Sequence, residues 1–173
     1  MSSHHDKPVG IDTVDHLVEH LSEVMTPSSV VVCVGNDLCG DDGAGVEVAR
    51  RLKDVVPWTI IDARSVPESF LMKIVERKPE SVLLIDALAF DAEPGTIDMV
   101  QTSDVHGQGP STHGPAPLAF LEVLNMMHPC RAAVLGIQPA QGEIGAGISE
   151  PVLAGIDRIV EAFMRLAAQS PSA

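Results

Sequence analysis

Two adjacent carboxylates lie in a glycine-rich stretch that has the spacing of a nucleotide-binding loop. An apolar run at 30–34 ends at Gly35, and Gly35 and Gly40 are spaced as in the Walker A motif, G-x-x-x-x-G-K-[ST]. Asp41 and Asp42 stand where that motif has its lysine and its hydroxyl residue. Because two carboxylates would repel a polyphosphate, the pattern disfavours a bound nucleotide and favours a bound cation.

Two further side chains are candidates to join these acids. Asp86 ends an apolar run at 81–86, and His113 lies in an irregular stretch, STHGPAP, at 111–117. Two carboxylates and an imidazole are suitable ligands for a divalent first-row metal such as nickel, zinc or manganese. Each residue also has an ordinary structural interpretation, because aspartate caps helices and strand ends and a loop histidine often bonds to the backbone. Only convergence of the three would favour the metal site.

The elements that must position these residues alternate between strands and helices. We predict strands at 30–34, 58–62, 81–86, 95–101 and 132–137, and helices at 11–24, 44–52, 66–77, 118–127 and 150–168. This alternation predicts an α/β fold, a three-layer αβα sandwich whose open, mostly parallel five-stranded sheet has helices on both faces. We expect an N-terminal extension with one amphipathic helix at 1–27 and a single α/β domain at 28–173.

The predicted sheet indicates where the candidate residues could meet. In an open α/β sheet the ligand lies beyond the carboxyl ends of the strands, where the strand order reverses. If the order is 2-1-3-4-5, the first and third strands are neighbours, and Asp42 and Asp86 converge there. The segment at 103–117 then leaves the fourth strand on the same side and brings His113 within reach. A connection of that length is typical of a functional loop.

Composition disfavours several classes of function. The 173-residue chain has 11 Lys and Arg against 24 Asp and Glu, a formal net charge of −13, which disfavours nucleic acid and anionic membranes as partners. Its apolar runs are far shorter than the roughly 20 residues of a membrane-spanning helix. The three cysteines form no C-x-x-C pair, and the sequence has no secretory signal pattern, so we expect a cytoplasmic protein.

Other catalytic arrangements are disfavoured. The sequence has neither the G-x-S-x-G elbow of a serine nucleophile nor the H-E-x-x-H helix of a zinc protease. A nucleophilic Cys39 with His113 as its base is a weak alternative, because the neighbouring carboxylates disfavour a thiolate.

Five short motifs resemble those of the nickel–iron hydrogenase maturation endopeptidases. They are VGNDLCGDDGAG at 34–45, IDARSVPE at 61–68, LIDA at 84–87, STHG at 111–114 and LGIQP at 135–139. The motifs follow the order of the family, and together they are specific. The last two look closest to the branch that processes large subunits of formate-hydrogenlyase-type and related hydrogenases.

The resemblance implies an endopeptidase that removes the C-terminal extension of a nickel–iron hydrogenase large-subunit precursor after nickel insertion, using the bound nickel for recognition. The family's metal contacts, which mediate catalysis, carry over to Asp42, Asp86 and His113, and no general base is assigned. The nickel is expected to come from the substrate, and other divalent metals such as zinc could occupy the site in the free protein. Asp41 and Asp62 are expected to be structural, as a helix cap and as a strand-end residue beside the cleft.

Other functions, and one other candidate ligand, are alternatives to this prediction. A chaperone that senses nickel in the precursor without cutting it would carry the same motifs, and a complex formed without a change in precursor mass would identify it. A nucleotide-binding α/β protein is disfavoured by the acids of the loop. His106 could mimic a metal ligand, but we prefer His113 because it lies in the Ser-Thr-His motif.

Overall fold

The computed structural model describes residues 10–101 and 116–169 of the chain. Its helices are α1 (Val14–Val24), α2 (Ala44–Leu52), α3 (Leu71–Glu76), α4 (Ala116–Met127) and α5 (Glu150–Gln169). Its strands are β1 (Val30–Val34), β2 (Thr59–Arg64), β3 (Ser81–Ala87), β4 (Ile97–Gln101) and β5 (Arg131–Ile137). Every predicted strand and helix is present, and most of their ends differ from the prediction by only a few residues.

The helix predicted at 66–77 shows the largest difference. It divides into a 3-10 turn at Pro67–Phe70 and the short helix α3. Pro67 suits the first turn because it lacks an amide hydrogen, which would have no partner there. A second 3-10 turn, Gly40–Gly43, precedes α2 and contains both acids of the glycine-rich loop.

The five strands form one sheet in the order β2-β1-β3-β5-β4. Neighbouring strands are parallel except β4, which runs antiparallel to β5. Apolar side chains of α1, α2 and α5 belong to one core cluster and those of α3 and α4 to another, on opposite faces of the sheet. The prediction of a mostly parallel α/β sandwich is therefore confirmed.

The order of the last two strands differs from the assumed 2-1-3-4-5. Strands β1 and β3 are neighbours as expected, but β5 lies between β3 and β4. The connection between β3 and β4 comprises only residues 88–96, whereas a parallel crossover needs about a dozen or more residues, usually with a helix. A chain that returns after so short a connection runs antiparallel, and β4 consequently adds to the edge of the sheet.

The direction of β4 also corrects the expected path of the segment at 103–117. Strand β4 starts beside the carboxyl end of β5 and ends at Gln101, which lies beside Ala133 towards the amino end of β5. The segment therefore does not leave β4 on the side of the candidate site. Its end returns to that side, because Ala116 lines a pocket together with Val34 at the carboxyl end of β1.

Helix α1 is part of the packed structure. Its side chains Leu17, Leu21 and Val24 are fully buried, and Asp15 forms an ion pair of 2.9 Å with Arg165 of α5. The division of the chain after residue 27 stays a prediction. Among the described helices, none combines the length and the apolar character that crossing a membrane would require.

Glycine at position 45 allows α2 to approach the central strands closely. A Cβ atom added to Gly45 would overlap the carbonyl oxygen of Val34 and would lie 2.9 Å from that of Ile85. Both oxygens belong to backbone, which cannot rotate away as a flexible side chain can. Because Asp42 lies just before α2 and Asp86 just after Ile85, this contact also fixes how closely the two acids approach.

We predict that Gly45→Ala lowers the free energy of unfolding by roughly 3 kcal/mol or more, because the new methyl group forces α2 away from β1 and β3. Chemical denaturation followed by circular dichroism measures the change. Gly147→Ala is the matched control, since a Cβ atom there meets nothing within 4 Å. We expect its stability to stay within about 1 kcal/mol of wild type. Equal stabilities of the two variants would contradict the close-packing role of Gly45.

Candidate active site

The loop after β1 turns back on itself and holds Asp42 close to the end of that strand. The amide of Asn36 donates to the carbonyl oxygen of Asp42 at 3.0 Å, and the amide of Asp42 donates to the carbonyl oxygen of Cys39 at 3.1 Å. Gly35 has a φ of +149°, and a side chain there would overlap the carbonyl oxygen of Asp42. Gly35, the first glycine of the Walker-like spacing, is therefore required by a tight backbone turn.

Asp86 lies at the carboxyl end of the central strand β3 and is 9% exposed. Burial raises the pKa of its carboxyl group, repulsion by the carboxylate of Asp42 raises it further, and the amide of Ala87 lowers it, with a resulting pKa of about 7. Asp42 is thus close enough to Asp86 for its charge to act on that carboxyl group. In the described part of the chain, neither acid takes part in an ion pair with Lys, Arg or His.

The third candidate ligand, His113, lies outside the described residues, as does His106. Among residues 10–101 and 116–169, no group of three or more His, Cys, Asp or Glu side chains is arranged to hold a metal ion. Of the three expected ligands, Asp42 and Asp86 lie within the described residues, and their role as ligands stays a prediction. Two neighbouring carboxylates without a basic partner favour a bound cation, because a cation offsets their mutual repulsion.

Asp41 has a different environment from its neighbour. It is fully buried, and its Oδ2 accepts hydrogen bonds from the amides of Ala140 and Gln141, at 2.7 and 3.0 Å, and from the hydroxyl of Ser149 at 2.9 Å. Its Oδ1 accepts from the amide of Ser149 at 2.6 Å. Asp41 is structural, as predicted, but the predicted helix cap is wrong, because neither the 3-10 turn nor α2 has a side-chain cap.

These bonds determine the charge of Asp41. Burial by itself would raise its pKa, but the backbone and hydroxyl donors outweigh burial and hold the pKa below the usual range. The ionised carboxylate thus fastens the loop after β5, at 138–149, onto the loop that carries Asp42. The amide of Gly145 adds a bond of 2.8 Å to the carbonyl oxygen of Leu38 across the same two loops.

Gln138 orders the neighbouring connection between β3 and β4, a role that was not predicted. Its Oε1 accepts from the amides of Phe90 and Ala92 at 2.8 and 3.3 Å. The backbone amide of Gln138 donates to the carbonyl oxygen of Thr96 at 2.8 Å. The only sequence signal for this role is the LGIQP motif, in which Gln138 follows the buried end of β5.

The remaining polar candidates have other surroundings. Asp62 is half-buried near the end of β2, where it accepts from the amide of Arg64 at 3.3 Å and pairs with its guanidinium at 3.5 Å. Cys33 is buried in β1, and burial, assisted by the charge of Asp62, raises the pKa of its thiol. Cys39, which we weighed as a nucleophile, is partly buried in the acidic loop.

We predict that Asp41→Asn lowers the free energy of unfolding by roughly 3 kcal/mol, because the amide offers one acceptor oxygen to four donors. Asp37→Asn, on the same loop but exposed and paired with Arg64, is the control and should change stability by less than about 1 kcal/mol. Since the pKa of Asp41 is lowered on folding, its stabilisation is present at neutral pH and is lost as the pH falls below the usual carboxyl range. Urea denaturation at pH 7 and pH 3 measures both effects.

For Asp86 the opposite pH dependence is expected in metal-free protein. Its pKa is raised on folding to about 7, so the folded state binds the additional proton, and stability falls as the pH rises from about 4 to 7. Asp86→Asn has no such titration. The free energy of unfolding of the variant, relative to that of wild type, should therefore rise by roughly 4 kcal/mol between about pH 4 and pH 7. Urea denaturation with a chelator present measures the difference, and parallel curves for the two proteins would contradict it.

Comparison with known proteins places the chain in a family. Residues 45–166 match the family model described as hydrogenase maturation protease, HycI. A hydrogenase 3 maturation protease of Escherichia coli K12 is 32% identical over 114 residues, covering 65% of this chain and 73% of the relative. A putative hydrogenase maturation protease of Methanocaldococcus jannaschii is 30% identical over 144 residues, covering 78% and 93%.

Solved structures agree with these matches. The crystal structure of a [NiFe] hydrogenase maturation protease HycI from Thermococcus kodakarensis has a TM-score of 0.75 at 28% identity, covering 88% of this chain and 99% of that one. The solution structure of the endopeptidase HycI from Escherichia coli has a TM-score of 0.68 at 27% identity, covering 82% and 90%. With a family match over most of its length, the chain belongs to the hydrogenase maturation proteases, and it is an endopeptidase.

Proposed function

We propose that this endopeptidase removes the C-terminal extension of a nickel–iron hydrogenase large-subunit precursor after nickel insertion, and that it recognises the nickel carried by that precursor. The observation that carries the proposal is the pairing of Asp42 with Asp86 at the carboxyl edge of the sheet. The names of its relatives, which are hydrogenase maturation proteases, support the precursor as the substrate.

The donor chemistry of the acid pair fits a nickel ion. A divalent cation between the carboxylates would relieve the repulsion that raises the pKa of Asp86. Oxygen and imidazole donors suit nickel and also zinc, so zinc could occupy the same donors in the free protein. Asp42 lies in a turn fastened through Asp41, and Asp86 lies in a strand flanked by β1 and β5, so both donors sit on rigid supports.

We propose His113 as the third contact. It precedes Ala116 by three residues, and three residues of extended chain span at most about 11 Å. Ala116 in turn lies in a pocket shared with Val34 and Ser65, near the carboxyl ends of β1 and β2. Chain length therefore allows the imidazole to reach the acid pair, although β4 ends at the opposite edge of the sheet.

In this proposal the protein acts mainly by positioning the substrate. Asp42, Asp86 and His113 hold the nickel-bearing part of the precursor against the sheet edge and orient the scissile peptide. The substrate's nickel, when bound, supplies a Lewis acid for the peptide carbonyl. We assign no general base. Cys33, Cys39 and Cys130 are free thiols, which supports a reducing, cytoplasmic compartment for the reaction.

The test is cleavage of purified precursor, loaded with nickel or free of nickel, followed by mass spectrometry. We expect shortening only of the loaded precursor. Asp42→Asn, Asp86→Asn and His113→Ala should each slow cleavage by roughly 100-fold or more, because each removes a positioning contact. Asp54→Asn at an exposed position and His106→Ala are the matched controls and should cleave at the wild-type rate.

Three results would count against the proposal. Wild-type cleavage rates in all three site variants would show that the acid pair and His113 have no role in the reaction. Equal cleavage of nickel-free and nickel-loaded precursor would show that the enzyme does not depend on nickel for recognition. A stable complex with loaded precursor, without any change in its mass, would instead indicate a nickel-sensing chaperone.

A further inference from the structure

A groove runs along β2, which is an edge strand because, among the described strands, β1 is its only neighbour in the sheet. The floor of the groove is formed by residues of β2 itself, among them Ile60 and Asp62. One wall is α2, and the other is formed by Phe70 and α3, which pack on the opposite face of the sheet. The groove encloses about 620 Å³. An edge strand between two helical walls has the geometry at which proteins bind an extended peptide as an added strand.

The groove is basic, although the chain as a whole is strongly acidic. Five of the eleven Lys and Arg residues line it, namely Arg50, Lys53, Arg64, Lys73 and Arg77. Two of the five are neutralised within the groove. Arg50 bonds to Glu47 at 2.8 and 2.6 Å, and Arg64 bonds to Asp37 at 2.7 Å. The other three cations thus remain to attract an anionic ligand.

These three residues, Lys53, Lys73 and Arg77, lie on the two walls of the groove and are called the basic cluster. Lys53 directly follows α2, and Arg77 directly follows α3 and donates to the hydroxyl of Thr59 at 3.3 Å. The Nζ of Lys73 lies 6.0 Å from the ring centroid of Phe70. In the described part of the chain, none of the three takes part in an ion pair. In a chain with a net charge of −13, such a cluster is suited to carboxylates.

The other end of the groove lies near the acid pair. Cys33 of β1 is in register with Asp62 of β2 on one side and with Ile85 of β3 on the other. Two strand spacings, about 10 Å, therefore separate Asp62 from Ile85, the residue before Asp86. From Asp62 back to Thr59, β2 has four residues, which at about 3.3 Å each offer roughly 13 Å of edge.

We propose that the groove binds the C-terminal extension of the precursor as an extended strand antiparallel to β2, with its terminal carboxylate and acidic side chains at the cluster of Lys53, Lys73 and Arg77. The proposal rests on the function proposed above. A chain that passes the acid pair and continues towards its own C-terminus runs from Asp62 to Thr59, opposite to the direction of β2. The edge between Asp62 and Thr59 accommodates about four residues of the extension, so cleavage releases a peptide that the groove has held.

Charge reversal at adjacent residues tests the proposal. Arg77→Glu changes a groove residue, and Lys78→Glu makes the same change in charge at the next, exposed position outside the groove. With nickel-loaded precursor, we expect Arg77→Glu to raise KM by about 10-fold with kcat within about twofold of wild type, and Lys78→Glu to leave both unchanged. Lys53→Glu on the opposite wall should behave as Arg77→Glu does, which guards against a local folding defect in either variant.

A direct measurement locates the peptide. With a photo-reactive benzoyl-phenylalanine at position 73, irradiation in the presence of precursor should attach the extension, and mass spectrometry should identify the attached residues. Attachment only upstream of the cleavage site, or none at all, would overturn the proposal. If wild type cleaves and the Arg77→Glu and Lys78→Glu variants share one KM, the groove proposal alone fails. If wild type cleaves no loaded precursor, the proposed function fails with it.

Discussion

The site depends on one buried carboxylate that does not itself take part in the proposed chemistry. Asp41 receives four hydrogen bonds from residues about a hundred positions away, and so joins the loop after β1 to the loop after β5. Those bonds satisfy a charge that burial would otherwise make very unfavourable. Because the turn that contains Asp41 also contains Asp42, the same bonds set the position of the neighbouring acid.

Adjacent acids thereby acquire opposite properties from their surroundings. Asp41 is buried and accepts four hydrogen bonds, which stabilise its charge. Asp42 faces Asp86, and the two carboxylates repel each other at a partly dry edge of the sheet. An arrangement of this kind stores electrostatic repulsion that a bound cation can release, and the basic groove beside β2 gives an acidic peptide a separate place to bind.

Hydrophobic periodicity predicted the strands and helices well, because buried strands and amphipathic helices leave strong patterns in the sequence. It did not predict the direction of β4, since a strand has the same pattern in either direction and only the short connection at 88–96 requires the antiparallel one. It also could not identify the partners of Asp41, because three of its four donors are backbone amides, which every residue type except proline supplies. The proximity of Asp42 and Asp86 was predictable, because Asp42 lies in the loop after β1, Asp86 lies at the carboxyl end of β3, and the two strands are neighbours in the sheet.

The 3-10 turn that holds the two acids makes the loop sensitive to length. Such a turn has three residues per revolution, so successive side chains point about 120° apart. Insertion or deletion of one residue within the turn before Asp41 would therefore change the directions of both side chains. Either acid could then point where its neighbour points now, or towards neither the loop after β5 nor Asp86. Substitutions that keep the number of residues would preserve the division between the acid that binds backbone and the acid that faces Asp86. Evolutionary drift in this loop should therefore proceed by exchange of side chains at constant length.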